Sequence, residues 1–322
     1  MPVQVICLGA VNLDLRYEVA DLGPFREAWP GLERGGEAAL SPGEEARLRE
    51  LLSIYGKLSG KWGGGQAANT AYALARLGVE AALIGWVGAD EDGAFLREGL
   101  EGVNLDYLVE AGISGRAYVL VDPEGERTIL AAPNTNDALR EADIPREAPA
   151  STQYLHLTSF VGPGPLRLQK QLAGRLYGTA LISLDPGELY ARRGRESLED
   201  LLDCTDILLV TERELSLLGG DPASYPDWGP PLILIKRGAR GARMVTPVGI
   251  LDFPADTPAR LVDTLGAGDV FAAGFLAGRL NGLNLPNAMR LAVRAAAHSL
   301  AGADREHYPD REFLETQLAD LS

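Results

Sequence analysis

Short apolar runs alternate with helical patterns along much of the chain, and this alternation predicts a parallel β-sheet. Val3–Leu8 is a mostly apolar run that stops at Gly9, which is typical of a buried strand. Gln66–Leu77 carries small apolar side chains at helical spacing and ends at Gly78, and Ala81–Val87 is the next apolar run. A strand, a helix and a strand in this order indicate the start of a parallel sheet.

Four later apolar runs repeat the pattern, with helix-like segments or turns between them: Tyr154–Thr158, Leu181–Asp185, Ile207–Val210 and Leu232–Lys236. Several of them end in a polar residue, and ligands gather at the carboxyl edge of such sheets. We therefore expect an α/β core whose functional residues lie where these strands end.

Two stretches depart from this pattern and predict a small β-sheet that stands off the core. Arg116–Leu130 contains two strands around an Asp-Pro-Glu-Gly turn, which predicts a hairpin, and Asp14–Val19 alternates like an exposed antiparallel strand. Residues 41–44 form a capping box with Pro42 at the first helical position, and the helix after it has one apolar face: Leu48, Leu51, Leu52 and Tyr55. From the pattern alone, the small sheet is either a lid over a substrate or a surface ornament.

A glycine turn at residues 263–269 is the strongest chemical signal, and it leads into the small apolar run Val270–Gly278. The apolar run predicts a buried helix, so the turn provides the free N–H groups of a helix N-terminus, where an anion is stabilised. The glycine-alanine-glycine stretch 266–268 lets the backbone approach a ligand closely. Asp269 is then placed as a base beside a transferring phosphate. An isolated Gly-x-Gly-Asp could equally be a tight loop with an aspartate cap.

Polar and glycine residues near the N-terminus form a second candidate site. Asn12 and Asp14 follow the first strand, where such residues are otherwise ordinary turn formers. Gly64, Gly65 and Asn69 belong to a glycine run that opens the predicted helix. Its spacing is not G-x-G-x-x-G, which disfavours a dinucleotide loop and an NAD-dependent oxidoreductase. Carboxylate, amide and glycine backbone groups suit a neutral polyol, whose hydroxyls both donate and accept hydrogen bonds.

Three later segments are candidates for contacts with phosphate or metal. Lys236 precedes a Gly-x-x-Gly loop formed by Gly238 and Gly241, and a lysine there could neutralise phosphates. Asp185 ends one strand and Glu214 follows another, and a carboxylate in such a place could face a metal ion. Each segment also has a plain interpretation, as a basic loop, a turn aspartate or a solvated helix start.

Composition narrows the class of protein. The chain has 322 residues, 46% of them hydrophobic, which is enough for a large core, and its net charge of −15 argues against nucleic-acid and anionic-membrane surfaces. Only Cys7 and Cys204 are present, so we expect two buried thiols and neither a disulfide nor a zinc site. The start of the chain has no basic segment or long apolar run, which predicts a cytoplasmic protein without a signal peptide or membrane span.

Taken in order, these motifs resemble those of the PfkB family of ribokinase-like sugar and nucleoside kinases. Asp263–Asp269 resembles the family's most distinctive motif, and Gly64, Gly65 and Asn69 match its Gly-Gly-x-x-x-Asn sugar motif. Asp14 matches the family's N-terminal aspartate, which grips substrate hydroxyls. The resemblance covers essentially the whole chain.

The resemblance implies a ribokinase-like three-layer α/β/α sandwich with a mostly parallel central sheet and a small β-sheet lid. Residues 1–13, 63–113 and 134–322 would form the α/β core. Residues 14–62 and 114–133 would form the lid, which includes an inserted helix. Lid sheets of the family often pair across a dimer, and the alternating strands here would permit such a homodimer.

The resemblance also implies an ATP-dependent kinase that phosphorylates a primary hydroxyl of a sugar. Asp269 would be the catalytic base, and Gly266, Ala267 and Gly268 would bind the transferring phosphate. Substrate would contact Asn12, Asp14, Gly64, Gly65, Asn69 and Asp269, and ATP would contact Lys236, Gly238, Gly241, Thr264, Gly266 and Gly268. Magnesium would be reached by Glu214 through water and by Asp185, and a monovalent cation such as K⁺ would bind near Asp263.

Some features leave the substrate open. Thr211 replaces the asparagine of the family's Asn-x-x-Glu element, and Gln66 stands where ribokinases often carry lysine, which disfavours ribose by default. The long insertion between Asp14 and Gly63 looks like the elaborated lid of adenosine kinases, so a nucleoside is the alternative substrate. A non-catalytic sugar or nucleotide sensor is a further alternative. The helix around Ala295–His298 corresponds to the adenine pocket of relatives, with no role assigned to His298.

Overall fold

The computed structural model describes residues 3–41, 43–144, 152–219 and 229–321. The strands in these residues are β1 (Val5–Leu8), β2 (Asn12–Val19), β3 (Glu37–Ala39), β4 (Gly56–Gly64), β5 (Ala81–Val87), β6 (Leu108–Glu110), β7 (Gly115–Val121), β8 (Arg127–Ala132), β9 (Tyr154–Thr158), β10 (Leu181–Asp185), β11 (Ile207–Thr211), β12 (Leu232–Lys236), β13 (Ala242–Thr246) and β14 (Gly249–Phe253). The helices are α1 (Gly23–Ala28), α2 (Glu44–Tyr55), α3 (Gln66–Arg76), α4 (Glu91–Glu98), α5 (Pro163–Leu176), α6 (Gly187–Ala191), α7 (Arg195–Asp203), α8 (Glu212–Leu217), α9 (Ala267–Leu280), α10 (Leu285–Ser299) and α11 (Arg311–Leu321).

The larger sheet has nine strands in the order β14-β13-β12-β11-β10-β9-β1-β5-β6. All neighbours from β12 to β6 are parallel, and only β13 and β14 pair antiparallel. The predicted mostly parallel sheet is therefore confirmed. The boundaries differ slightly, because β1 begins at Val5 and β11 extends to Thr211. The apolar runs had not predicted β13 and β14, which follow the Gly-x-x-Gly loop.

Helices cover both faces of this sheet, which makes the core a three-layer α/β/α sandwich, as expected. One apolar layer packs α3, α9 and α10 against the sheet, and the other packs α5, α7 and α8. Val270–Gly278 is wholly buried within α9, as its apolar pattern predicts. Cys7 is buried and Cys204 is partly buried, and both are free thiols in the described part of the chain.

The smaller sheet has five strands in the order β3-β8-β7-β2-β4, with α1 and α2 packed on its own apolar core. The predicted hairpin is confirmed as β7 and β8, whose turn is held by the Asp122 carboxylate accepting from the N–H groups of Glu124 and Glu126. Strand β2 differs from its prediction as an exposed antiparallel strand. It lies inside the sheet, antiparallel to β4 and parallel to β7, and begins already at Asn12.

Helix α2 begins later than the capping box predicts. Its first residue is Glu44, and Gly43 precedes it with φ of 91°, while Pro42 lies outside the described residues. The Glu44 carboxylate still accepts from the Ser41 N–H at 2.7 Å, which is the reciprocal half of such a box. Leu48 and Leu52 are buried and Leu51 is partly buried. The prediction that Tyr55 belongs to the same apolar face is wrong, because this residue ends the helix and is 47% exposed.

Candidate active site

The predicted glycine turn leads into α9 at the edge of the sheet where the parallel strands end. Gly266 has φ of 78° and precedes the helix, a conformation that disfavours any side chain. A Cβ at Gly266 would also lie 2.2 Å from the Tyr308 hydroxyl oxygen. Within the described residues, the N–H groups of Ala267 and Asp269 bond to carbonyls of the turn, whereas those of Gly266 and Gly268 have no partner. Two backbone donors are therefore free at residues that line a cavity beside Asp269.

Asp269 lies in the first turn of α9 and is buried. Its Oδ2 accepts a hydrogen bond from Asn69 Nδ2 at 2.8 Å. Burial raises the pKa of Asp269 to about 7, although the Asn69 hydrogen bond opposes that rise. The carboxyl group is therefore poised to change its protonation state near neutral pH, which suits a general base.

Arg305 orients Asn69, and no motif in the sequence had pointed to this arginine. Its Nε and Nη2 both donate to Asn69 Oδ1, at 3.1 and 2.9 Å, and its Nη1 donates to the Gly99 carbonyl at 2.8 Å. Its guanidinium also lies 5.1 Å from the centre of the Tyr72 ring. Because Arg305 has only donors, the Asn69 oxygen must face it, and the Asn69 amide nitrogen must then face Asp269.

A polar cavity of about 300 Å³, called here the acceptor cavity, opens beside Asp269. Five residues predicted to bind substrate line it: Asn12, Asp14, Gly65, Asn69 and Asp269. The sixth, Gly64, does not line the cavity. A Cβ at Gly64 would lie 2.1 Å from a carboxylate oxygen of Asp14, so this glycine makes room for the aspartate.

Asn12 and Asp14 are held in place on β2 and not in a turn, which corrects the plain interpretation of these residues. Asn136 donates from Nδ2 to Asn12 Oδ1 at 2.8 Å. Asn136 also bonds both the N–H and the carbonyl of Val11, each at 3.0 Å. Burial raises the pKa of Asp14 to about 8, and the positive charge of Arg305 opposes the rise.

A second cavity of about 560 Å³, called here the nucleotide cavity, lies on the other side of the turn. Of the residues predicted to contact ATP, five line it: Lys236, Gly238, Gly241, Thr264 and Gly268. The sixth, Gly266, lines the acceptor cavity instead, as does Glu214. The predicted catalytic-turn residue Ala267 also lines the nucleotide cavity.

The rest of the nucleotide cavity is largely apolar. Phe271, Val293, Ala296, Ala297 and Leu300 form this part of its wall. His298, in the same helix, does not line it, and its ring packs against Phe313 at 4.9 Å between ring centres. An apolar slot beside a glycine turn can accept a flat aromatic base next to a phosphate site.

Lys236 lies where the two cavities meet, and it lines both. Its Nζ is 2.5 Å from Asp185 Oδ2, and Asp185 is fully buried. Burial alone would lower the pKa of Lys236, but the charges of Asp185 and Glu214 raise it, so the side chain stays protonated. Lys236 is thus a fixed cation at the junction, already paired with Asp185 and not free as the sequence implied.

Thr211 and Glu214 form a capping box at the start of α8. The Glu214 N–H donates to the Thr211 hydroxyl at 3.1 Å, and the Thr211 N–H donates to the Glu214 carboxylate at 2.6 Å. Burial raises the pKa of Glu214, while the charge of Lys236 opposes the rise. In the described chain, no group of three or more His, Cys, Asp and Glu side chains is placed to hold a metal ion by itself.

The two cavities share the N-terminus of α9 and a fixed lysine, and the buried carboxylate of Asp269 lines one of them, an arrangement that suits an enzyme transferring an anionic group between two substrates. The chain belongs to the pfkB family of carbohydrate kinases, whose family model matches residues 56–303. It is accordingly a phosphotransferase. The match begins after Asn12 and Asp14, so the assignment of these two residues to the site rests on their position in the acceptor cavity. No helix of the described residues is long and apolar enough to cross a membrane.

Known proteins resemble the chain over most of its length. An ATP-dependent ribose-1-phosphate kinase of Halopiger xanaduensis is 33% identical over 92% of this chain and 91% of that kinase. A sugar kinase of Archaeoglobus fulgidus is 35% identical over 75% of this chain and 97% of that protein. The crystal structure of an adenosine kinase from Sinorhizobium meliloti covers 100% of both chains with a TM-score of 0.83 at 21% identity, which shows the shared ribokinase-like fold.

Proposed function

We propose that this protein transfers the γ-phosphate of ATP to a primary hydroxyl of a sugar. One observation carries the proposal: Asp269 lies in the acceptor cavity, while the neighbouring Gly268 and Ala267 line the nucleotide cavity. An acceptor hydroxyl and a terminal phosphate can therefore meet at the same turn. Membership of the family of carbohydrate kinases supports the same reaction.

Asp269 is the proposed general base. Its ionised carboxylate accepts the proton of the attacking hydroxyl, and the hydrogen bond from Asn69 keeps Oδ2 in a fixed position. A carboxylate is a weak base for an alcohol, but the transition state of phosphoryl transfer is loose and positioning contributes more than basicity.

The free N–H groups of Gly266 and Gly268 are the proposed donors to the transferring group. They lie at the positive end of α9, and Lys236 adds a full positive charge where the cavities meet. Because these donors are already oriented, removing one of them typically costs on the order of 3 kcal/mol of transition-state stabilisation. The apolar wall around Phe271 and Val293 would hold the adenine ring.

Glu214 and Asp185 are the acidic groups proposed for a magnesium ion. Glu214 lines the acceptor cavity, whereas Asp185 lines neither of the two cavities, is fully buried and is paired with Lys236. Magnesium bound with nucleotide phosphates commonly takes one or two protein carboxylates and keeps several waters, so Glu214 alone can suffice. When bound, the ion neutralises charge on the phosphates. Glu214 would act through water, because its carboxylate also caps α8.

Residues 14–62 and 114–133 are proposed to act as a lid. Strands β2, β3, β7 and β8 of the small sheet contribute Asp14, Glu37, Ala117, Arg127 and Ile129 to the wall of the acceptor cavity. A cover of this kind excludes water from the phosphate and so limits ATP hydrolysis.

The second candidate for the substrate is a ribose unit that carries a base or a phosphate away from the hydroxyl that is phosphorylated, and one observation favours it. A side cavity of about 300 Å³ shares Glu37, Val161 and Leu189 with the acceptor cavity and is also lined by Arg192 and Arg193. It could receive the base of a nucleoside or the phosphate of a sugar 1-phosphate. The name of the Halopiger relative supports the sugar phosphate.

The experiment is an assay of ADP release with Mg-ATP and a panel of ribose, ribose 1-phosphate, hexoses and nucleosides. The phosphorylated product identifies the position of transfer. We expect Asp269→Asn to lower kcat by about 10²- to 10⁴-fold, the usual contribution of a general base. Asp106→Asn, an exposed change outside both cavities, is the matched control and should leave kcat unchanged.

Near-wild-type turnover by Asp269→Asn would show that the base is assigned wrongly. Tight binding of one panel member without turnover would instead indicate a sensor. Phosphorylation of a nucleoside in preference to every free sugar would establish the second candidate.

A further inference from the structure

We propose that Arg127 and Asp263 form a latch between the small sheet and the glycine turn, and that both are positioning residues for phosphoryl transfer. The inference rests on the proposed function. Arg127 is the first residue of β8, and Asp263 lies in the core three residues before Gly266. Neither belongs to the residues that contact the reacting atoms in the mechanism above.

Arg127 makes two contacts with the segment that leads into the glycine turn. Arg127 Nη2 lies 2.5 Å from Asp263 Oδ1, and Arg127 Nη1 donates to the Thr264 hydroxyl at 3.1 Å. The side chains of Arg127 and Asp263 are only 19% and 11% exposed. A charged pair this shielded from water is stronger than a surface ion pair, and the guanidinium fork fixes its direction.

The same carboxylate also shapes the turn. Asp263 Oδ1 accepts the N–H of Leu265 at 2.8 Å, and Leu265 precedes Gly266 and lines the acceptor cavity. The charge of Asp263 is thus shared between the small sheet and the backbone that carries the phosphate donors. Loss of Arg127 would leave a mostly buried carboxylate without its main partner, and turning that group toward water would release Leu265.

A second arginine from the small sheet points at the same group. Arg16, on β2, has Nη1 3.7 Å from Asp263 Oδ2. By contrast, Glu33 and Arg213, which also join the two parts of the chain, are 58% and 45% exposed. Exposed pairs contribute little. Arg116 of β7 and Asp92 of α4 form another shielded ion pair between sheet and core, with side chains 19% and 17% exposed, but the pair at Asp263 is the one that contacts the glycine turn.

The latch makes the geometry of the turn depend on the position of the small sheet. When the sheet lies over the acceptor cavity, Arg127 holds Asp263 and the Gly266 and Gly268 donors are aligned. When the sheet lifts, the turn loosens and phosphate stabilisation weakens. Transfer would therefore be efficient only with an enclosed acceptor, which lowers phosphate loss to water.

A double-mutant cycle tests the coupling. We expect Arg127→Gln and Asp263→Asn each to lower kcat about tenfold or more, with KM for ATP changed less than threefold. The double variant should be no slower than the worse single variant, because one contact is lost in all three. Arg34→Gln is the control, since Arg34 pairs with Asp122 and Glu124 inside the small sheet. Losses that multiply in the double variant would overturn the latch.

Hydrogen exchange gives a readout independent of turnover and of the folding of Asp263→Asn. Without any ligand, the hydrogen-bonded amides of Leu265, Ala267 and Asp269 should exchange at least fivefold faster in Arg127→Gln than in wild type or Arg34→Gln. Unchanged exchange would overturn the latch. A wild-type protein that phosphorylates nothing would refute the proposed function, while the exchange result would still decide the latch.

Discussion

Replacing Asp269 with asparagine should make the fold more stable at alkaline pH while it removes catalysis. The carboxyl pKa rises from an ordinary 3.8 to about 7 because the group is buried. Between these two pH values the folded protein holds a proton that the unfolded chain has released. The contribution of Asp269 to the free energy of unfolding is therefore most favourable at low pH and becomes less favourable as the pH rises to about 7.

The size of the effect follows from the pKa. Each pKa unit corresponds to about 1.4 kcal/mol, so ionised Asp269 costs about 4 kcal/mol at pH 8 and almost nothing near pH 4. The asparagine can still accept from Asn69, but its own amide hydrogens lack an assured partner, which costs about 1–3 kcal/mol at every pH. The stability of the variant relative to wild type should thus increase by about 2–3 kcal/mol between pH 5 and pH 8.

Urea unfolding followed by tryptophan fluorescence at several pH values measures this difference. Asp252→Asn is the matched control, and its stability difference from wild type should stay constant from pH 5 to pH 8. Arg243 lowers the pKa of the Asp252 carboxyl from its ordinary 3.8 by a hydrogen bond, so the stabilisation by that carboxylate is lost only as the pH falls below this value. A stability difference between Asp269→Asn and wild type that stays constant from pH 5 to pH 8 would refute the reasoning.

Two further predictions concern the walls of the site. Gly266→Ala should lower the unfolding free energy by about 1–2 kcal/mol through left-handed strain and lower kcat more than tenfold, because its Cβ would displace the Tyr308 hydroxyl. Gly282→Ala is the control, because Gly282 has a similar φ of 82° but no atom within 4 Å of a Cβ built there. Measuring urea unfolding and kcat for both variants separates the effect of backbone strain from that of displacing Tyr308. Equal kcat values in the two variants would contradict the prediction. Glu37→Gln should raise the acceptor KM about tenfold and leave KM for ATP unchanged, because Glu37 lines only the acceptor cavity of the two. The same change should increase stability at pH 8, because burial, and then the charges of Glu188 and Glu214, raise the pKa of Glu37 to about 7. Glu126→Gln, in an exposed turn, should change none of these three values, and an unaltered acceptor KM in Glu37→Gln would count against a role in the cavity.

Local patterns were sufficient for the core. The strands β10 and β12 and the start of α3 match their predicted residues, because a run of apolar side chains bounded by turn residues determines its own structure. Strand β4 was missed because its sequence is rich in glycine and lysine and has no alternation. Its strand conformation depends on pairing with β2, which no local pattern contains.

The candidate site was predictable only where residues lie inside motifs. Asp269 and Asn69 were found in this way, and their hydrogen bond joins residues 200 positions apart. Arg305 was missed because it lies in an irregular segment between α10 and α11 and meets Asn69 across 236 positions. Such a partner is determined by tertiary packing and leaves no trace in the neighbouring sequence.

The clamp that Asn136 places on Val11 and Asn12 limits how the small sheet can move. Only residues 9–11 join β1 to β2, and Asn136, itself buried, ties down that short connection through three hydrogen bonds. A swing about this root would break all three at once. We expect the far edge formed by β3 and β8 to flex instead, so Asn12 and Asp14 would stay in place to receive a polyol, and Glu37 would come into contact with it afterwards.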